Sequence, residues 1–414
     1  MKKKHLLLTV TALYAAYFLN YVIKLCPSVV MPQLQAELGL SSSMTGLLSS
    51  LYFLPYAVMQ FFVGGLCRKF SAQRVIATGL LICSLGLLCF GLGTTPLVLA
   101  LGRLLLGFGS CPFFIGMVYF LQRFYSGTDY VRIYGYSIFI SNVGSALATA
   151  PLKALIGRFG RGGVFMGISG VAVTLSVFLL ALYLLSGDKE EKSGEESALK
   201  NALSSIRLVF SSRVLVSGLI LWLIQGAHTM SYQGLWCVKW TDVAFPGFES
   251  WTALSGMFIA FGVMLSSLIC EKVRFYGPFV NRESSRKRTF YLGGWLAVFS
   301  VVASTFVKFL PSSSPSLVLS LLLDVLYGYA GANIVVQGGA YVRENSDAKR
   351  NADIMGVYNG LGCFSQQLSQ WLTGLGVDAF LLKFSLNTSF SLTFLLMDAV
   401  FALMLLGVAK EFRD

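Results

Sequence analysis

Charge is scarce in this chain. Only 12% of its 414 residues are Asp, Glu, Lys or Arg, whereas 55% are hydrophobic and the mean hydropathy is +0.70. Soluble globular domains carry about 25% charge, so a cytosolic enzyme is excluded. No GxxxxGK[ST] occurs, and the glycine pairs Gly107-Phe-Gly109 and Gly360-Leu-Gly362 lie inside apolar runs with no preceding strand. They read as close helix packing, and nucleotide hydrolysis is excluded as the energy source. The eight cysteines are scattered singly, without CxxC or a Cys/His cluster. Neither a zinc site nor a disulfide scaffold is expected. No Ser/His/Asp set or metal constellation gathers at one depth, so no enzyme activity, cofactor or metal is expected. The start Met1-Lys2-Lys3-Lys4-His5 is followed by an apolar run with no small-residue cleavage site before Lys24 and Pro27. The first helix is expected to be retained.

Long uncharged runs are abundant, among them residues 38–67, 75–102, 162–187, 214–238, 250–270 and 354–377. Each suffices to cross a bilayer as a helix of about 20 residues. Twelve spans are predicted, at 6–30, 43–66, 75–93, 97–123, 132–156, 163–186, 213–240, 250–270, 289–310, 315–341, 354–379 and 386–409, leaving chain for short loops only. The net charge of +13 follows the gaps between spans rather than forming a nucleic-acid patch. With the N-terminus inside, 24 of the 32 Lys and Arg fall on the cytoplasmic side, which places both termini in the cytoplasm. The stretch 188–212, rich in Glu, Lys and Ser, reads as a cytoplasmic linker between an N-terminal half, 1–187, and a C-terminal half, 213–414. The halves read as repeats: Arg103 and Asp324, Gly107 and Gly328, Arg132 and Asp353, and Gly135 and Gly356 all stand 221 positions apart. Duplicated helical halves around a central site are the build of secondary transporters.

These residues resemble the major facilitator superfamily over nearly the whole chain. Its loop between spans two and three usually reads G-x-L-x-D-R-x-G-R-R. Here Gly64-Gly65-Leu66-Cys67-Arg68-Lys69 keeps the first Gly and the Leu but has Arg68 where the family has Asp. The resemblance implies a conformational latch at Gly64, Arg68, Arg74 and, after span eight, Glu271, with the acidic member missing from the first half. Arg103-x-x-x-Gly107-x-Gly109 and the segment Gly144 to Pro151 resemble the family's motifs in spans four and five. The segments 21–32, 49–60 and 232–236 resemble bacterial members that include intraphagosomal amino-acid carriers and, more distantly, lysosomal dipeptide carriers. The family implies an all-α integral membrane protein of twelve helices in two pseudo-symmetric six-helix halves, with spans one, four, seven and ten lining the path.

Ionisable groups inside a span are costly and usually meet a partner or a wet cavity. Lys24 shares a face of span one with Asn20 and Tyr21. Arg103 and Asp324 enter spans four and ten at similar depths. Arg103 and Lys24 are expected to attract an anionic group, and Asp324 to exchange the coupling proton with Arg103 as its partner; a static ion pair is the plainer reading of the latter two. His228, beside Gln225 and Tyr232, has a side chain suited to proton coupling. Asn20, Tyr21, Asn142, His228, Tyr232, Gln233, Asn333 and Asn359 are further substrate-binding candidates, although the amides among them commonly join helices. Asp398 reads as peripheral scaffold, Trp236, Trp240 and Trp251 as interface anchors, and Asn387-Thr388-Ser389 as an accidental glycosylation pattern.

The expected protein is a monomeric secondary transporter in a bilayer, the bacterial inner membrane, moving a small polar or anionic organic solute such as an amino acid or short peptide by alternating access with proton symport. Multidrug efflux is the alternative within transport, and it predicts an acidic cavity. A solute sensor built on a transporter fold is the alternative outside it.

Overall fold

The computed structural model describes residues 3–125, 127–186, 198–269, 282–346 and 350–412. Glu271 lies outside the described residues, as do the side chains of Arg132, Asp353 and residues 282–286. Among the described residues there is no strand. Span one is α1 (Lys3–Leu25) and α2 (Pro27–Leu38), span two is α3 (Ser42–Ser50) and α4 (Phe53–Phe70), and span three is α5 (Ala72–Leu92). Span four is α6 (Pro96–Ser110) and α7 (Pro112–Phe124). Span five starts with α8 (Gly127–Leu147) and runs into α9 (Ala150–Ser186), which then supplies span six. After α10 (Ala198–Ser211), span seven consists of α11 (Arg213–Ser231), a π-helical turn at Tyr232–Trp236 and α12 (Cys237–Ala244). Span eight is α13 (Glu249–Thr252) and α14 (Leu254–Ile269). The last four spans are α15 (Arg282–Val307), α16 (Ser314–Glu344), α17 (Asn351–Leu381) and α18 (Leu386–Val408). Ten of these segments are long and apolar enough to cross a membrane. The 21-residue α8 and the 31-residue α17 complete the twelve spans.

The breaks within spans follow from local chemistry. Pro27 and Pro112 have no N–H for the carbonyl four residues earlier, which would otherwise stand orphaned in a bilayer. Each is preceded by a cysteine whose thiol reaches that carbonyl: Cys26 Sγ donates to Ile23 O at 3.3 Å, and Cys111 Sγ to Phe108 O at 2.9 Å. Spans five and six are separated inside α9 by Gly160, whose φ of 73° only glycine adopts freely. The next residue, Arg161, donates to Phe90 O and Gly93 O at 2.8 and 3.0 Å, satisfying carbonyls at the end of α5.

The chain folds into two compact units. Unit one holds Met1–Cys26 and Leu48–Asn201; unit two holds Pro27–Leu47 and Ala202–Asp414. The chain thus passes from one unit to the other at the Cys26–Pro27 break and again within α3. In unit one α5 packs against α6 and α9, and in unit two α16 lies between α14 and α15 while α11 packs on α17. Val209 of α10 joins a buried cluster with Leu215, Leu219, Val342, Ile354, Val357 and Tyr358, so part of the predicted linker is a docked helix.

The repeat signal has a structural meaning. A Cβ on Gly107 would collide with the carbonyl oxygen of Tyr52 in span two, and one on Gly328 with that of Ile259 in span eight. The matched glycines therefore permit the same backbone-to-backbone approach, span four on two and span ten on eight. Gly135 and Gly356 face open space, so no packing need explains that second match.

Candidate functional site

In unit one, Arg103 is completely buried. Its Nε and Nη2 donate to Ser49 O at 3.2 and 2.7 Å, and Nη1 donates to Ile23 O at 3.2 Å. Ser49 O belongs to the last turn of α3, and Ile23 O is the carbonyl that Pro27 leaves without its helical donor. The guanidinium also lies over the rings of Tyr52, at 4.9 Å, and Phe90, at 5.6 Å. Arg103 thus ties span four to the breaks in spans one and two. Asn20 is buried close by and accepts from Tyr52 Oη at 2.8 Å, while that hydroxyl lies 2.7 Å from Ser110 Oγ.

Lys24 and Tyr21 are half-buried on the same helix. The Lys24 ammonium sits among three rings, 4.9 Å from Tyr56, 5.8 Å from Phe53 and 5.9 Å from Tyr21. Among the described residues it has no carboxylate partner. The sequence explains this: residues 1–187 contain only two acids, Glu37 and Asp129, neither within a predicted membrane span. Asn142 is buried and turns back on its own helix, its Nδ2 donating to Ile138 O at 2.8 Å.

Unit two gathers Asp324, Tyr232 and a third group that the sequence reading overlooked, Lys308. All three are buried, Asp324 and Lys308 at 1% exposure. Tyr232 Oη donates to Asp324 Oδ1 at 2.7 Å, Lys308 Nζ donates to Tyr232 Oη at 3.0 Å, and Ser255 Oγ donates to Asp324 Oδ2 at 2.7 Å. Lys308 Nζ also donates to Ser304 Oγ at 3.0 Å and lies 4.2 Å from the centre of the Trp240 ring. A negative and a positive group are therefore joined through one hydroxyl across spans seven, eight, nine and ten. Tyr232 opens the π-turn, closed by Cys237 N donating back to Tyr232 O. Such turns insert a residue and re-aim side chains, often at functional sites.

His228 and Asp398 form a second buried contact in unit two, Nε2 to Oδ1 at 3.0 Å. Asp398 is buried, at 1% exposure, against the one histidine of the C-terminal spans. Gln233 and Asn333 are buried, and the Asn333 Oδ1 has no hydrogen-bond partner among the described residues. Asn359 is half-buried on α17.

Of the expected latch residues, Arg68 is exposed and Arg74 donates to Tyr183 Oη at 3.4 Å with its guanidinium over that ring. Gly64 is half-buried, and its missing Cβ would lie 3.8 Å from an Arg68 nitrogen. Unit two holds a tie that the sequence reading did not anticipate. Both carboxylate oxygens of Asp378 accept from the first amides of α3, Ser42 N at 2.8 Å and Ser43 N at 2.7 Å. A Cβ on Gly46 would strike Gln370 O, and one on Gly374 would strike Ser42 O, so α3 and α17 meet backbone to backbone. Lys239 Nζ donates to Gln35 Oε1 in the same unit.

Two aromatic readings also change. Trp236 and Trp240 are fully buried rather than interfacial, with indole N–H groups donating to Thr373 Oγ1 and Asn387 Oδ1, both at 3.0 Å. Trp251 alone of the three is exposed, at 59%. The amide of Asn387 is engaged at both ends, since its Nδ2 donates to Lys308 O at 2.9 Å.

Comparison with known proteins gives the same architecture. The structure superposes on the nucleoside transporter NupG with a TM-score of 0.73 and 15% identity, over 98% of this chain and 99% of that one. It superposes on a bacterial homologue of the human lysosomal transporter Spinster, inward-facing and occupied, with a TM-score of 0.69 and 16% identity, over 97% and 95% of the two chains. At these identities the likeness is one of fold. A probable sulfoacetate transporter, SauU of Cupriavidus necator, is 36% identical over 76 residues, which are 18% of this chain and 17% of that protein's length. The family model of the Major Facilitator Superfamily matches residues 13–369, and the chain belongs to that family of membrane transporters.

Proposed function

We propose that this transporter carries a small organic anion, a carboxylate or sulfonate, by alternating access of its two halves, residues 1–187 and 213–414 joined by 188–212, with a proton as the coupling ion. The observation behind the choice of anion is the Lys24 ammonium, half-buried in a box of Tyr21, Phe53 and Tyr56, with no carboxylate partner among the described residues. Rings stabilise a cation without neutralising it, so the site keeps a positive charge for a ligand. Lys308, by contrast, is balanced by Asp324 through Tyr232. The 36% local identity with a probable sulfoacetate transporter favours the same solute class. Amino acids and short peptides fall within this reading through their carboxylate. The charge distribution supports cytoplasmic termini, and the resemblance to bacterial members supports the bacterial inner membrane.

The test is a thermal-shift screen of the purified chain against sulfoacetate, simple carboxylates, amino acids, dipeptides, nucleosides and lipophilic cations. A ligand at 100 times its Kd adds about 2.7 kcal/mol to the folded state. Stabilisation by anions that disappears in Lys24→Gln and survives in Lys24→Arg supports the proposal. Stabilisation by lipophilic cations alone sinks it in favour of efflux. Counterflow of the labelled hit in liposomes then separates a carrier from a sensor, because a sensor exchanges nothing.

A further inference from the structure

His228 and Asp398 differ from the other ionisable groups of unit two in how little holds them. Asp324 has a hydroxyl donor at 2.7 Å on each oxygen, with Lys308 on the far side of Tyr232. Asp398 has neither. Its Oδ1 lies 3.0 Å from His228 Nε2. Among the described residues both carboxylate oxygens and both ring nitrogens lack a hydrogen-bond partner. The surroundings are aromatic: Tyr327 and Phe401 meet the imidazole edge-on at 5.2 and 5.4 Å. Polar atoms left bare in a core are rare, and each calls for a missing partner. An acid and a base side by side within a bilayer have one small partner in common, the proton.

We infer that His228 and Asp398 are the proton-carrying site of unit two, separate from the Asp324 cluster. The pair alternates between one shared proton, net neutral, and two protons, as imidazolium and carboxylic acid. The second proton joins a bare Asp398 oxygen and returns from it to water when the transport cycle opens the site; no other bond forms or breaks. The ionisable groups facing the pair are few. From α16 it is Tyr327, whose hydroxyl donates to Thr229 Oγ1 at 3.5 Å. Lys308, just beyond α15, and Asp324 of α16 bond Tyr232, whose ring meets Tyr327 edge-on at 5.2 Å. The segment of α17 between Asp353 and Asp378 has no acid or base beyond Tyr358 and Cys363, and α18 offers only Asp398. The pair and the Tyr232 cluster are therefore neighbours, linked by the edge-on contacts of Tyr327 with His228 and with Tyr232.

This inference rests on the reading of a proton-coupled carrier, and its test uses protons as the probe. The full chain, reconstituted in liposomes, is taken through an acid pH jump and its infrared difference spectrum recorded. The expected result is a protonated-carboxyl band that is lost in Asp398→Asn and retained in Asp324→Asn. The sequence has only two histidines, so a His5→Gln background leaves His228 as the sole signal in nitrogen NMR of histidine-labelled protein. Its nitrogens should report an imidazolium in the wild type and a changed state in Asp398→Asn. A band that survives Asp398→Asn, vanishes only in Asp324→Asn, or never forms overturns the assignment. If Asp398→Asn does not fold, Asp398→Glu must give the band at a displaced frequency, and an undisplaced band overturns it equally. Counterflow activity together with no Asp398 band sinks this inference alone, whereas absence of counterflow sinks the carrier reading whatever the band does.

Discussion

Arg103 and Asp324 hold the same position in the two repeats, and each connects to the first two spans of its half with opposite charge. Arg103 reaches Ile23 in span one and Ser49 in span two; Asp324 is reached by Tyr232 of span seven and Ser255 of span eight. In both halves the contact falls where the first span departs from regular helix, at the Cys26–Pro27 break and at the π-turn of Tyr232–Trp236. Arg103 thereby satisfies backbone carbonyls that a bilayer cannot hydrate, whereas Asp324 is held by side-chain hydroxyls.

A clamp and an anion receptor respond differently to a charge-preserving substitution. Arg103→Lys keeps the charge but loses the planar fork that satisfies two carbonyls. Leaving a buried acceptor bare costs about 1–3 kcal/mol. Arg103→Lys and Arg103→Gln are both expected to destabilise the purified protein by about that amount or more, measured as loss of midpoint in thermal or denaturant unfolding in detergent. Full stability in Arg103→Lys would mean that the charge, rather than the fork, is what matters.

Lys308 and Asp324 make a buried pair through Tyr232, so removing one partner strands the other. Lys308→Met alone is expected to lose about 3–5 kcal/mol, and Lys308→Met combined with Asp324→Leu to regain most of it, because two apolar side chains strand no charge. A double-mutant cycle on unfolding free energies measures the coupling. Additive losses would show that the two groups do not interact through the tyrosine.

The twelve spans and the duplication were legible because the hydropathy runs are long and because the glycines at 107 and 328 are required by equivalent backbone contacts. The site was less so. Lys308 lies two residues inside the predicted end of span nine, where a lysine reads as a headgroup contact; only the fold turns it inward to Tyr232. Trp240 likewise sat at a predicted boundary, although its ring stacks on Phe394 at 5.0 Å and 6° and covers the Lys308 ammonium. Asp398 gave no signal because its partner His228 is 170 positions away, and pairing across that distance has no local pattern. The Asp378 cap escaped for the same reason, being 336 positions from Ser42.

The two repeat glycines give a prediction specific to the duplication. Gly107→Ala places a methyl against Tyr52 O and Gly328→Ala one against Ile259 O, and backbone cannot yield as a flexible side chain does. Both variants are expected to be poorly folded, whereas Gly135→Ala and Gly356→Ala, where space is open, should retain wild-type yield and unfolding midpoint. Size-exclusion profiles of the four variants make the comparison; indifference at 107 or 328 would show that the paired spans can separate enough to admit a methyl group.

Asp378 gives the last prediction, about motion rather than folding. Its two oxygens satisfy the first amides of α3, and such a cap is worth about 0.5–2 kcal/mol. The Gly46 and Gly374 contacts hold the same turn of α3 on α17, so the carboxylate and the close backbone packing act together there. Asp378→Ala is expected to raise amide hydrogen exchange at Ser42, Ser43 and their neighbours while leaving the core of α5 unchanged, because local opening costs less than global unfolding. Asp378→Asn keeps one acceptor and should fall between. Uniform exchange across wild type and both variants would mean that α3 is held by the Gly46 and Gly374 contacts alone, and that the carboxylate does not govern its release.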